Sequence, residues 1–268
     1  MWRYPVKSLR GESLEQARVQ PWGIDGDRRW MVIDRAGEKL RAGRHHQLAL
    51  VSAVVPESGG LRLRAAGHPD LHVAEPLGGE PVEVGLRGVG RALSAGGPAG
   101  TWLSEVLGLD ARLVWLDDPT RRSVSEKHGG HPGDVLSLAD AAPLLLTTAP
   151  SLRQLDIWAA EGDGTGEPLA MERFRPNLAV DGEMAAFAED DWRDVQVGDV
   201  RFRFAEHCDR CVVTTLHPST GRAGKEPLRT LARHRRWDGN VWFGIRVVPV
   251  TTGTIAVGDP VQVLRVTD

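Results

Sequence analysis

Cysteine is scarce in this chain: two among 268 residues, at positions 208 and 211. Two thiols cannot build a disulfide framework, and an ordinary iron–sulfur cluster takes four cysteine ligands. Cys211 is followed by Val212, so the Cys-x-x-Cys-His pattern of c-type haem attachment is missing. Gly162-Asp163-Gly164-Thr165-Gly166 is glycine-rich but neither follows a strand nor opens a helix, which argues against a dinucleotide fingerprint. No source of electrons within the chain is therefore visible. Basic excess is also absent: a net charge of -3 and a pI near 6.3 argue against nucleic acid or an anionic membrane as the main partner. No apolar run approaches the roughly 20 residues of a membrane span, and no signal-peptide pattern opens the chain. The expectation is a soluble, cytoplasmic protein with no membrane and no nucleic-acid partner.

What is present is a core-forming composition, 41% hydrophobic, arranged as many short β-like runs. Ala17–Gln20, Arg28–Asp34, Leu48–Val54, Leu61–Ala65, Pro81–Leu86 and Ala111–Leu116 are separated by Gly, Pro or Asp punctuation. Arg35-Ala36-Gly37-Glu38 reads as a hairpin loop, and Val200–Phe204 alternates with the period of a half-buried strand. Three helices are expected: one with a capping box on Ser151 and Gln154, one beginning at Pro227, and a short one over Thr101–Leu107. Asp117–Asp134 lacks periodicity and reads as a linker or surface flap between two halves. The fold class is mainly β with a few helices (α+β).

Chemistry concentrates in two stretches, Arg173-Phe174-Arg175-Pro176-Asn177 and His207-Cys208-Asp209-Arg210-Cys211-Val212-Val213-Thr214-Thr215. Both cysteines thus stand beside cationic and amide side chains, as a thiolate-ligated metal on an anionic organic cofactor would require. Cationic neighbours favour a thiolate over inert buried thiols. A redox dithiol is disfavoured because Val212–Thr215 reads as continuing strand, and a structural zinc would need His207 and His217 at awkward spacing. Near the amino terminus, Lys7-Ser8 on the turn after a strand could offer an anion cradle, but taken alone it reads as an ordinary solvated turn, and Asp27-Arg28 reads as a surface pair.

Taken in order, Tyr4-Pro5-Val6-Lys7-Ser8, Gly26-Asp27-Arg28-Arg29-Trp30-Met31-Val32, Arg173–Asn177, Cys208–Cys211 with Thr214-Thr215, Lys225-Glu226-Pro227-Leu228 and Gly258-Asp259-Pro260-Val261 resemble MOSC-domain proteins. The resemblance is to the class with an N-terminal β-barrel, which includes amidoxime-reducing components and hydroxylaminopurine-detoxifying proteins. It implies a smaller β-rich MOSC_N domain over residues 1–118 and a MOSC β-barrel domain over 119–268. It further implies a molybdenum cofactor (Mo-molybdopterin) between them; pyridoxal phosphate is not expected.

By that resemblance Lys7, Ser8 and Arg28 hold the cofactor's anionic end, Arg175, Asn177 and Arg210 add contacts, and Cys211 is the molybdenum ligand, with Cys208 a neighbour. The implied activity is reduction of small N-hydroxylated or N-oxygenated substrates such as amidoximes and hydroxylamines. Electrons would come from a separate ferredoxin-type or flavin reductase. The alternatives are a sulfur-carrier or cofactor-handling module with a persulfide on Cys211, and a β-barrel binding module with two inert thiols. The sequence departs from the family pattern at three points. Only three residues precede Tyr4, implying a trimmed first strand or a late start. Leu40–Arg44 leaves Arg44 as the contact there, and Arg246 stands where the family can carry an aromatic or amide residue near the metal.

Overall fold

The computed structural model describes residues 1–162 and 167–267, so the Asp163–Gly166 part of the glycine-rich loop lies outside the described residues. The amino-terminal part is organised around a five-stranded sheet in the order Pro81–Glu83, Arg91–Ser94, Arg112–Trp115, Trp30–Ile33, Val6–Lys7. Its central strands are buried on both faces. Trp30, Val32, Leu113 and Trp115 enter one apolar cluster with helix residues Trp102 and Leu103, whereas Met31, Ile33, Val114 and Leu116 enter another. That two-sided burial is why these strands read as unbroken apolar runs rather than alternations. The last pair in the sheet is parallel, which carries Lys7 to the same end as Met31.

The carboxy-terminal part is a seven-stranded sheet curled into a half-barrel. Its path runs Leu178–Val180, Leu144–Thr148, Asn240–Pro249, Val200–Asp209, Trp192–Val197, Val261–Val266, with Arg236–Trp237 paired back onto the long 240–249 strand. A third sheet joins distant segments of the chain: Gly253–Ala256 pairs with Gln16–Gln20, which pairs with Gly23–Ile24. Ala17, Val19, Ile24 and Ile255 consequently pack in one cluster with Leu146, Phe202 and Ile245 of the half-barrel. The mainly β, α+β class expected from the sequence is the one observed.

Local differences from expectation have local causes. Leu48–Val54 divides into a 3-10 turn, His46–Leu50, and a strand, Ser52–Val54, because Leu48 and Val51 are buried three residues apart, the period of a 3-10 turn. The helix Ala149–Glu161 is capped by Thr148, whose hydroxyl accepts from the Ser151 amide at 3.3 Å. Ser151 sits within the first turn instead of capping it, and Pro150 is tolerated there because its missing N–H would have had no helical partner. The short helix begins at Gly97 rather than Thr101 and ends at Leu107, and the third spans Leu228–His234 behind Pro227.

The segment 117–134 is packed. Asp118 caps a 3-10 turn, Val124 joins Leu136 and Ala139 in a small cluster, and the Arg122 guanidinium donates to the carbonyls of Ser137 and Ala139 at 2.7 and 2.5 Å. It delivers the chain to Asp140 at the wall of the site.

Candidate functional site

A cleft of about 380 Å³ opens between the five-stranded sheet and the half-barrel. On the amino-terminal wall, the Val6–Lys7 strand ends in a turn made by Ser8, which has φ 71°. Lys7 is buried, and its Nζ donates to the Leu138 carbonyl at 2.8 Å and to Asp140 Oδ1 at 2.6 Å. Burial lowers the Lys7 ammonium to about 8 even though Asp140 opposes the shift, and the same ammonium holds Asp140 well below the usual carboxylate range. The asymmetry follows from position: Lys7 is enclosed, while the Asp140 side chain opens into the cleft.

Arg28 also adopts a left-handed backbone, φ 48°. Its guanidinium pairs with Asp27 and donates to Asn177 Oδ1 at 3.1 Å, while Asp27 itself accepts from the Tyr4 amide at 2.7 Å. Burial opposes the charge on Arg28, but Asp27 outweighs it and the net shift is upward. The expected Asp27–Arg28 surface pair is thus an interior one.

On the opposite wall, the 3-10 turn Met171–Phe174 ends at Arg175, again left-handed at φ 56°. Arg175 donates to the Leu9 carbonyl at 2.6 Å and lies 4.2 Å from the centroid of the Tyr4 ring, with Arg28 at 4.8 Å from the same ring. Among the described residues Arg175 has no carboxylate partner. Burial and the like charge of Arg28 lower it to about 10. Three of the five non-glycine residues described with positive φ are therefore Ser8, Arg28 and Arg175. Such conformations cost energy and persist where the surroundings enforce them, which is where function is usually found. Asn177 is wholly buried and fully engaged: its Oδ1 accepts from Arg28 and from the Leu145 amide at 3.2 Å, and its Nδ2 donates to the Trp2 carbonyl at 3.3 Å. It ties three segments together at the cleft floor.

The long strand Val200–Asp209 brings in the cysteines. Cys208 is buried, and its Sγ accepts from Arg210 Nη1 at 2.8 Å; Arg210 Nη2 donates to the Phe174 carbonyl at 2.6 Å. Cys211 is exposed and lines the cleft. The expected strand over Val212–Thr215 is instead a 3-10 turn that starts from Cys211, whose carbonyl accepts from the Thr214 amide and hydroxyl. The two thiols are free and differently placed, one buried against an arginine and one exposed at the cleft. His207 is engaged with the Asp190 carbonyl and His217 with Glu167 and Ser219. Among the described residues no group of three or more His, Cys, Asp or Glu side chains gathers, which leaves the zinc reading without ligands.

All seven sequence-predicted residues, Lys7, Ser8, Arg28, Arg175, Asn177, Arg210 and Cys211, line this one cleft. Residues not singled out there for this role are Lys39, Arg41, Arg173, Asp140 and Asp209. Arg41 replaces the expected Arg44, which lines a separate surface hollow with His46, Gln47 and Leu50 because the chain turns between them, the Arg44 amide donating to the Arg41 carbonyl at 3.0 Å. Asp140 carried no periodic signal; only its place among Ala139, Ala141 and Ala142 marks it. Arg246 lies in the wall, donating to Glu206 at 2.5 Å and Asp209 at 2.7 Å; burial disfavours its charge, but Cys208, Glu206 and Asp209 hold its pKa above the ordinary range. In total, Lys7, Arg28, Lys39 and Arg41 from one side and Arg173, Arg175, Arg210 and Arg246 from the other face two lining carboxylates, Asp140 and Asp209. In a chain of net charge -3 this is a pronounced local excess of positive charge.

Comparison with known proteins agrees with this geometry. Residues 1–110 match the MOSC N-terminal beta barrel domain and residues 130–262 the MOSC domain. Mitochondrial amidoxime-reducing component 1 of Mus musculus is 30% identical, covering 98% of this chain and 81% of its own. Mitochondrial amidoxime reducing component 2 of Rattus norvegicus is 30% identical over 97% of this chain and 81% of its own. A molybdenum cofactor sulfurase of Oryza sativa subsp. japonica is 29% identical over 90% of this chain but only 31% of its own length.

Relatives matched over nearly the whole chain are named as mitochondrial components, which overturns the expected cytoplasmic location. That expectation rested on the lack of a signal peptide and of an apolar span, and neither observation separates one internal compartment from another. Among the described residues no helix is long and apolar enough to cross a membrane. By domain match, by identity over nearly its full length and by the placement of its motif residues in one cleft, the chain belongs to the MOSC-domain family whose members carry the N-terminal MOSC β-barrel domain.

Proposed function

We propose that the cleft holds a molybdenum cofactor and that the protein is a reductase of small N-hydroxylated substrates. The observation that carries this reading is the exposed, free Cys211 in the lining of a cleft whose cations outnumber its carboxylates and include Arg175, which has no ion-pair partner among the described residues. The donor set fits the group. Among the described residues the buried Nε atoms of Arg173 and Arg210 have no hydrogen-bond partner, and Lys7, Ser8 and Arg28 gather donors at the amino-terminal wall. Guanidinium and ammonium groups suit a phosphate-bearing pterin, and a thiolate is a soft ligand for the metal.

When bound, the cofactor supplies the two-electron chemistry, while this chain orients and encloses the reactants. Lys7, Ser8 and Arg28 would hold the anionic end, Arg175 and Arg210 the body, and Cys211 the metal. Reduction of an amidoxime consumes two electrons and two protons; the N–O bond breaks, the oxygen leaves as water, and the amidine remains. The chain has too few cysteines for an iron–sulfur cluster, and on this reading a separate protein would deliver the electrons.

The test is molybdenum and pterin content of protein produced in a cofactor-competent host, with turnover of benzamidoxime measured alongside. Reduced viologen should support turnover and NADH or NADPH alone should not. Steady turnover from NADH with no reductase present would reveal an internal redox site and overturn the donor assignment. A second reading is favoured by the sulfurase relative together with the exposed Cys211: a cofactor-handling module carrying a persulfide. A one-sulfur mass increase on Cys211 in protein that holds no molybdenum would put that reading first.

A further inference from the structure

If an anionic cofactor matches most of the cleft's cations, what remains beside Cys211 to meet a substrate is a carboxylate. Asp140 is tied to Lys7. Asp209, two residues before Cys211, has a side chain 49% exposed and lines the same cleft. Its Oδ1 accepts from Arg246 Nη2 at 2.7 Å, and its Oδ2 has no protein partner among the described residues. Arg246 is itself fixed, donating through Nη1 to Glu206 at 2.5 Å, and Glu206 is braced by His128 Nδ1 at 2.9 and 3.0 Å from its two oxygens. Asp209 is thus a carboxylate whose direction is set from behind and whose second oxygen is open.

A fixed carboxylate discriminates in favour of planar cations with forked N–H donors, amidinium and guanidinium, which it can meet with good geometry and opposite charge. We propose that Asp209, oriented by Arg246, is a specificity-determining residue that selects cationic N-hydroxylated guanidines over neutral and anionic N-hydroxylated substrates at the mouth of the cleft. The proposal rests on the reductase reading for its substrate class, but the charge preference belongs to Asp209 itself.

The test uses molybdenum-loaded protein, reduced viologen and three N-hydroxylated benzene derivatives of similar size: a cationic N-hydroxyguanidine, a neutral amidoxime and an amidoxime bearing a ring carboxylate. Asp209→Asn should lower the ratio of kcat/KM for the cation over the carboxylate by about tenfold or more, chiefly through KM, as expected for loss of one charge-assisted contact. Calorimetric titration with benzamidine, a product-shaped cation that cannot be reduced, should show a comparable loss of affinity. An equal fall on all three substrates with molybdenum content unchanged would mean that Asp209 only shapes the site, and the proposal fails. If the loaded protein reduces none of the three, the reductase reading fails instead. Benzamidine then still decides: binding lost in Asp209→Asn upholds the charge preference, and equal binding by both proteins overturns it.

Discussion

Arg175 and Glu189 are both charged groups set back from bulk water with no ion-pair partner among the described residues, and they resolve the same difficulty in opposite ways. Glu189 is wholly buried; its Oε2 accepts from the hydroxyls of Ser151 at 2.8 Å and Thr148 at 3.0 Å, and its Oε1 has no partner. Burial pushes its carboxyl upward against those hydroxyl bonds, and a carboxylate can escape its desolvation by taking a proton. Arg175 has no such exit near neutral pH, being lowered only to about 10, and it lines an open cleft. One lone charge is a packing compromise that a proton can settle. The other, on the proposed reading, is met by a ligand.

This contrast breaks first at the cysteines if the cleft is merely an irregular gap. If Cys211 holds molybdenum as proposed, Cys211→Ser should reduce turnover by about a hundredfold or more without lowering the melting temperature, because a hydroxyl is a harder and weaker donor than thiolate for that metal. Cys208→Ser should stay within about tenfold of the parent, since a hydroxyl can still accept from Arg210 and donate to the Asp209 carbonyl as the thiol does. Turnover of both variants beside their melting curves checks this; equal loss in the two would place the thiols in one structural unit.

The next largest effect concerns Arg175 directly. Arg175→Ala should weaken cofactor retention by about tenfold or more, the weight of one charge-assisted hydrogen bond, while the melting temperature of the apo-protein is not lowered. Pterin content after gel filtration, measured beside apo-protein melting, separates the two. A variant whose apo and holo forms are destabilised alike would show that Arg175 serves the fold.

The smallest effect sharpens the other side. The unfolded chain releases the Glu189 proton near an ordinary carboxylate pKa, about 4.3, and the folded protein releases it later. Through that window the unfolded state binds fewer protons, so the group's contribution to stability falls as pH rises and then levels off. Glu189→Gln removes this dependence. The melting temperature of the variant relative to its parent should therefore move upward by roughly a few degrees between pH 4 and pH 8. A difference that stays constant with pH would mean that Glu189 does not change protonation over that range.

The sequence displayed the cleft's motifs more clearly than its architecture. Arg175 and Cys211 stand in patterns whose residue types already suggest an anionic ligand and a soft metal, whereas Lys7 and Arg28 read alone as a solvated turn and a surface pair and are named through the order of the family's motifs. Arg41 could not be separated from Arg44, because the choice depends on a turn whose direction is fixed by the backbone bond between them. Val212–Thr215 looks like strand by β-branched content, yet Thr214 and Thr215 turn their hydroxyls back onto the carbonyls of Cys211 and Val212 and favour a tight 3-10 turn. Asp140 was hidden because its role comes from Lys7, more than a hundred residues away in sequence. The cap of the 149–161 helix moved to Thr148 because Ser151 is recruited by Glu189, another distant partner.

The sheet that joins Gln16–Gln20 to Gly253–Ala256 has a consequence for dissection of the protein. Cutting after residue 118 would release a carboxy-terminal fragment that retains its cysteines but loses Ala17, Val19 and Ile24 from the cluster behind them. Its Gly253–Ala256 strand would be left as a bare edge, the surface through which strands pair with the wrong neighbour. The two halves are thus separable in sequence comparison but not by scissors. A fragment meant to isolate the cysteine-bearing half should keep the 14–25 segment, supplied in trans or fused beyond Val266, to remain soluble.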